Sequence, residues 1–111
     1  MVDTLLLSKH IRRHVVEMCS RGGSSHVASC LSMADMIACT YASMKFEPNN
    51  PKWDDRDYFI LSNGHAGAAV YATLSQLGFF DYSKLEDHYQ NGSTMSGHVS
   101  HVGNPGVEFS T

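Results

Sequence analysis

The stretch FILSNGHAGAAVYATL, residues 59–74, changes period in its middle. With Tyr58 before it, it opens as an apolar run, Tyr58-Phe59-Ile60-Leu61. Ser62-Asn63-Gly64-His65 interrupts, and small helix-forming residues follow. A short apolar run bounded by turn residues reads as a buried strand, here over residues 56–61. Residues 64–77, carrying Val70, Leu74 and Leu77, read as a helix with Gly78 as its C-cap. In an open α/β sheet, ligands gather beyond the C-terminal ends of strands. A helix beginning at Gly64 brings free amide N–H groups and the positive end of its dipole to that place. A histidine at the corner can donate to a phosphate or shuttle a proton. The competing account is plainer: Asn63 caps the helix and His65 is solvated.

Upstream, Leu7, Ile11, Val15 and Met18 recur at helical spacing, with Lys9, Arg12, Arg13 and Glu17 on the other faces. This predicts an amphipathic helix over residues 4–21. Arg21-Gly22-Gly23-Ser24-Ser25 ends it and leaves His26 in a loop. Ser32, with Asp35 three residues on, resembles a capping box and opens a second helix with Met33, Ile37, Tyr41 and Met44 on one face. Pro48-Asn49-Asn50-Pro51 closes that helix with a turn. Downstream, Ser83-Lys84-Leu85-Glu86 fits a capping box for a short helix to about Gln90. The polar, glycine-rich residues 91–111 carry no strand or helix signal. The order helix, helix, strand, helix gives an α/β fold in one small domain, without repeats or an internal boundary.

The sequence has 111 residues and a formal net charge of −3, and its longest basic run is Arg12-Arg13. Capture of nucleic acid by a basic surface is excluded as a first reading. No apolar run approaches the ~20 residues of a membrane span. Leu5-Leu6-Leu7 is too short for a signal-peptide core and follows Asp3, so a cytoplasmic location is expected. Cys19, Cys30 and Cys39 are odd in number and lack Cys-x-x-Cys spacing. They read as reduced, mostly buried thiols.

Chemistry concentrates in the histidines. Of seven, His26, His65 and His98 stand beside small residues, in SSH, SNGH and SGH, where a ligand can approach the backbone closely. His10 and His14 share a helix face, but Ile11 stands where a His-Glu-x-x-His motif has its Glu. His98 and His101 lie three apart in a loop. Zinc at either pair needs further ligands that the pattern does not supply, so no metal ligand is assigned.

The segments RGGSSHVASCLSMADMIA, WDDRDYFILSNGHAGAAVYATLSQLGF and GHVSHVGNPGVEFST, taken in order, resemble the start of a transketolase. The resemblance runs from about Leu7 to Thr111. It implies the front portion, residues 1–111, of a thiamine-diphosphate-binding domain, with helices packed on a parallel sheet. It implies catalytic roles for His26, His65 and His98, and cofactor contacts from His65 and Gly106. The implied reaction moves a two-carbon ketol unit from a ketose, or ketose phosphate, to an aldose. The cofactor's Mg²⁺ or Ca²⁺ is then held by residues beyond this chain, and Asp54, Asp55 and Asp57 do not replace them. The implied partner is a C-terminal transketolase half, or a continuation of the same chain, in a homodimer or heterotetramer. Catalysis is expected of that assembly and not of these 111 residues alone. Two departures stand out. Ser25-His26-Val27-Ala28 replaces the family's Gly-His-Pro-Gly, and Gly97-His98-Val99 replaces its second Gly-His-Pro. In this the chain looks closer to two-chain transketolase-like enzymes. The remaining alternatives are a non-catalytic partner subunit that keeps the fold, and a histidine-centred metal hydrolase.

Overall fold

The computed structural model describes residues 2–110. Three α-helices carry the core: α1 (Thr4–Gly22), α2 (Val27–Ser43) and α3 (Gly67–Gln76). A 3₁₀ turn, Gly64–Ala66, leads into α3, and a second 3₁₀ segment spans Tyr82–Asp87.

Helix α1 follows its sequence signal. The Asp3 carboxylate accepts from the Leu6 N–H at 3.1 Å, and Gly23 ends the helix at φ 74°. Leu7, Ile11, Val15 and Met18 form the buried stripe. Each such side chain, fully buried, contributes about 1.5–3 kcal/mol.

Helix α2 starts earlier than the Ser32–Asp35 pair suggests. Its N-cap is His26, so that histidine lies at a helix start and not in a free loop. Ser32 is inside the helix, its hydroxyl donating to the Ser29 carbonyl at 2.8 Å. Asp35 turns instead to α1, where Arg12 grips it with contacts of 2.9 and 3.3 Å and Ser8 adds its hydroxyl. Those donors hold the Asp35 carboxyl down to about 2. Ile37 and Tyr41 face inward as expected, joined by Cys30, Ala34 and Ala38, whose small size brings the backbones close. Met33 and Met44 are only half-buried.

Helix α3 is buried along its whole length, from Gly67 to Ser75, and packs against both α1 and α2. Its composition explains this: three alanines and a glycine leave room for neighbours on all sides. Gly78 adopts φ 97° just past its end, as the C-cap reading requires.

The expected strand is not formed. Among the described residues there is no strand, and residues 56–61 make no ladder bonds. A strand exists only by pairing, and no partner strand lies within these residues. The alternation survives in burial: Tyr58 and Ile60 are exposed, Phe59 is half-buried and Leu61 is buried. Within these residues the helices therefore pack on one another and not on a parallel sheet. The short helix expected from Ser83 is also changed. It is a 3₁₀ segment, it ends at Asp87, and its cap is Asp81, whose carboxylate accepts from the Ser83 N–H at 2.9 Å.

A largely buried ion pair anchors the C-terminal segment. Arg56 reaches Glu108 through two bonds, Nε to Oε2 at 2.7 Å and Nη2 to Oε1 at 3.0 Å. The side chains are 11% and 8% exposed. The Arg56 hydrogen bond holds the Glu108 carboxyl below its usual range. A depressed native pKa gives stability that is present above glutamate's ordinary value, ~4.3, and is lost as pH falls through the native value. Glu108→Gln should therefore lower the melting temperature at pH 7, and the gap from the parent should shrink as the solution is acidified below about pH 4. Melts across that pH range test this; a constant gap would show that the pair adds nothing.

Candidate active site

Three segments converge on one corner. His26 precedes the first turn of α2, His65 sits in the 3₁₀ turn before α3, and His98 lies in the loop after the second 3₁₀ segment. Ring centroids are 4.8 Å apart for His26 and His65, 4.6 Å for His65 and His98, and 5.7 Å for His26 and His98. One ring nitrogen from each falls within 4.8 Å of the other two. His26 is half-buried, while His65 and His98 are exposed.

The backbone holds each imidazole. The His26 carbonyl accepts from the Cys30 N–H at 3.3 Å, and the Cys30 thiol lies 3.7 Å from the His65 carbonyl. Burial pushes that thiol up to about 11, so it packs and does not attack. The His98 carbonyl receives the Ser96 hydroxyl at 2.6 Å and the Tyr71 hydroxyl at 3.4 Å. The same Tyr71 oxygen accepts the Ser100 N–H at 2.7 Å. Tyr71 is fully buried in α3, so the core itself positions the His98 loop. Gly67 makes that approach possible, because a Cβ there would stand 2.6 Å from the Val99 nitrogen and 3.1 Å from the His98 carbonyl carbon.

The corner suits an anionic or hydroxyl-rich ligand. The amino ends of α2 and α3 meet there, each presenting first-turn amides and the positive end of its dipole. Three imidazoles add ring nitrogens that can donate or accept a hydrogen bond.

The other readings fare differently. Gly106 does not join the trio. It lies against Phe79 and Leu74, near the far end of α3, where a Cβ would come within 2.8 Å of the Phe79 ring. His10 and His14 stack at 6.3 Å, and His14 meets Gln76 at 3.3 Å. His101 bonds Ser110 at 2.6 Å, so it does not act as a pair with His98. Asp57 accepts the Lys45 N–H at 2.7 Å. A depression of about 560 Å³ lies between α1, the end of α3 and residues 80–82 and contains none of the trio.

Two neighbours of the corner gave no sequence signal. Tyr89 takes φ 62°, its N–H donates to the Met95 carbonyl at 2.8 Å, and its ring covers Gly97. Such backbone strain in a non-glycine residue persists only where the surroundings impose it. His88 is 1% exposed, although Glu86, Asp87 and Tyr89 around it suggest a solvated helix face. Burial, and next the nearby His26, push its imidazole below histidine's ordinary range. Neither ring nitrogen has a hydrogen-bond partner. A buried polar atom without a partner costs about 1–3 kcal/mol, and an apolar group of the same shape removes that cost. His88→Phe should leave the protein at least as stable as the parent, and His88→Ala should destabilise it by opening a cavity. Thermal melts of the two variants decide; a large drop for His88→Phe would mean that the nitrogens are bonded.

The family model described as "Transketolase, thiamine diphosphate binding domain" matches residues 4–111. The chain belongs to the transketolase family. Among similar curated proteins, transketolase 1 of Saccharomyces cerevisiae is 37% identical over 111 residues, covering 99% of this chain and 16% of its own length. A 6-deoxy-6-sulfo-D-fructose transketolase subunit of Clostridium sp. is 33% identical over 102 residues, covering 91% of this chain and 37% of its own. The fold is likewise that of solved transketolases. The Leishmania mexicana enzyme superposes with a TM-score of 0.90 at 34% identity, over 100% of this chain and 17% of that one. A Pichia stipitis transketolase in complex with sedoheptulose 7-phosphate gives 0.90 at 34% identity, over 99% and 16%. The chain thus spans between about a sixth and just over a third of the transketolases it matches. Among the described residues, no helix is long and apolar enough to cross a membrane.

Proposed function

We propose that this chain supplies the front of the cofactor-binding domain in an enzyme that transfers a two-carbon ketol unit from a ketose, or ketose phosphate, to an aldose. The observation that carries the reading is the meeting of His26, His65 and His98 at the amino ends of α2 and α3. That donor set fits thiamine diphosphate and a polyhydroxylated substrate, because both present oxygens to N–H donors. Bound there, thiamine diphosphate supplies the electron sink that lets the bond beside a ketose carbonyl break. The chain's own residues orient the sugar and move protons. His65, at the turn into α3, donates to an oxygen of the cofactor's diphosphate or of the substrate. His26 and His98 flank it and hold or accept protons at the sugar hydroxyls. Each positioned acid or base is typically worth about 10²–10⁴-fold. Gly106 belongs to the segment that leads toward the cofactor, and its closeness to Phe79 fixes where that segment turns.

The rest of the machinery lies in the remainder of the assembly: the Mg²⁺ or Ca²⁺ on the diphosphate, a C-terminal transketolase half and a dimeric or heterotetrameric arrangement in the cytoplasm. The Clostridium relative is itself a subunit, which favours a two-chain enzyme. The test is to assay the complete protein, with its complementary half where there is one, for two-carbon transfer in thiamine diphosphate and Mg²⁺. Transfer between a ketose phosphate and an aldose phosphate is expected. Cofactor binding without any transfer would leave a partner subunit that keeps the fold and has lost the chemistry.

A further inference from the structure

We infer that the corner formed by His26, His65 and His98 is also a binding site for a single transition-metal ion of the zinc or cobalt class. Among the described residues it is the one cluster of three such ligands, and their ring nitrogens lie within 4.8 Å of each other. A tetrahedral ion with metal–nitrogen bonds of 2.0–2.1 Å sets its ligand nitrogens roughly 3.3 Å apart. Rotation about the side-chain bonds closes that gap, since two of the rings are exposed. The backbones that carry the rings are already fixed, through Cys30 to His65 and through Tyr71 and Ser96 to His98. Nδ1 of His26 is buried without a hydrogen-bond partner, so that ring loses little by turning.

Ligand chemistry sets the class of ion. Three imidazoles without a carboxylate suit zinc, cobalt, nickel or copper, and not the oxygen-seeking Mg²⁺ or Ca²⁺. The helix ends oppose a cation, but each by only about two- to fivefold. An outer-shell partner alone is worth about 10–100-fold, so three direct ligands prevail. The fourth position stays open for water or an anionic oxygen, which the same helix ends favour. The ion would occupy the place proposed above for the sugar's hydroxyls, so metal and sugar would exclude each other.

The experiment is a Co²⁺ titration of the complete protein, stripped of thiamine diphosphate and held in excess Mg²⁺ to fill any oxygen-ligand site. The readouts are stoichiometry by calorimetry and the visible absorption of low-coordinate Co²⁺, with Zn²⁺ as competitor. One Co²⁺ per chain is expected. His65→Ala and His98→Ala should each weaken it at least tenfold, and His10→Ala should leave it unchanged. Circular dichroism checks folding, and His→Gln replaces any alanine variant that loses helix. Absence of stoichiometric Co²⁺, or equal affinity in the His65→Ala/His98→Ala double variant, overturns the site. The titration contains neither cofactor nor sugar, so its failure leaves the ketol-transfer reading standing, and the reverse holds too.

Discussion

In the complete enzyme, His65→Ala should cut the turnover of ketol transfer by about 10²–10³-fold and leave the melting temperature unchanged. On the role proposed for His65, the size follows from removing one preorganised donor whose contact tightens in the transition state. The unchanged stability follows from position. His65 is exposed, and its 3₁₀ turn is held by main-chain bonds, among them the Ala66 N–H to the Asn63 carbonyl at 3.0 Å, which alanine keeps. His10→Ala is the control, because that ring lies on α1 beside the groove remote from the trio. Steady-state kinetics and melts on both variants decide. Equal turnover with both folded would remove the corner from the chemistry.

Gly67→Ala should do more damage to stability than any exposed substitution. Gly67 has ordinary helical dihedrals, φ −55° and ψ −39°, so alanine by itself would gain about 0.5–1 kcal/mol of helix stability. The new Cβ, however, would press on main-chain atoms of Val99 and His98 that cannot rotate away. Overpacking of this kind typically costs 1–3 kcal/mol, which outweighs the gain. The alternative to unfolding is a shift of the His98 loop, and a misplacement of about 1 Å can cost about 10²-fold in rate. The expected result is a lower melting point together with a loss of turnover. A variant that melts higher than the parent, with normal kinetics, would mean that the loop does not rest on α3.

How much of this could be read beforehand varies with the physics of each segment. Helix α1 was legible to within a residue because its apolar spacing and the glycine-containing stop at residues 21–25 agree, while the Asp3 cap was not read. The start of α2 was misread because Ser32 and Asp35 imitate a cap, while the real first residue follows a histidine that makes no side-chain cap bond. Residues 56–61 carry a strand's apolar alternation, but the hydrogen bonds that define a strand come from a neighbour, and none lies within these residues. Each histidine of the trio could be picked out by its small neighbours, and the resemblance gave them roles. What no local pattern contains is the tertiary support. Tyr71 reads as one more core residue of α3, and its bond to the His98 loop is visible only once that loop is folded back. The burial of His88 is hidden for the same reason, since its charged neighbours say nothing of the ring turned inward.

The scatter of the three histidines along the chain has a consequence for folding order. A constellation drawn from the start of α2, the turn into α3 and a late loop has no local precursor. Closing those long loops costs chain entropy before any contact at the corner repays it. The corner should therefore be among the last features to form and among the first to open. Amide protons around Val99, which rests on Gly67, should exchange by a small opening that releases the loop while α1 and α2 stay folded. A ligand that bridges the three segments would close that route, so its binding should register as slowed exchange in a region the helices alone do not protect.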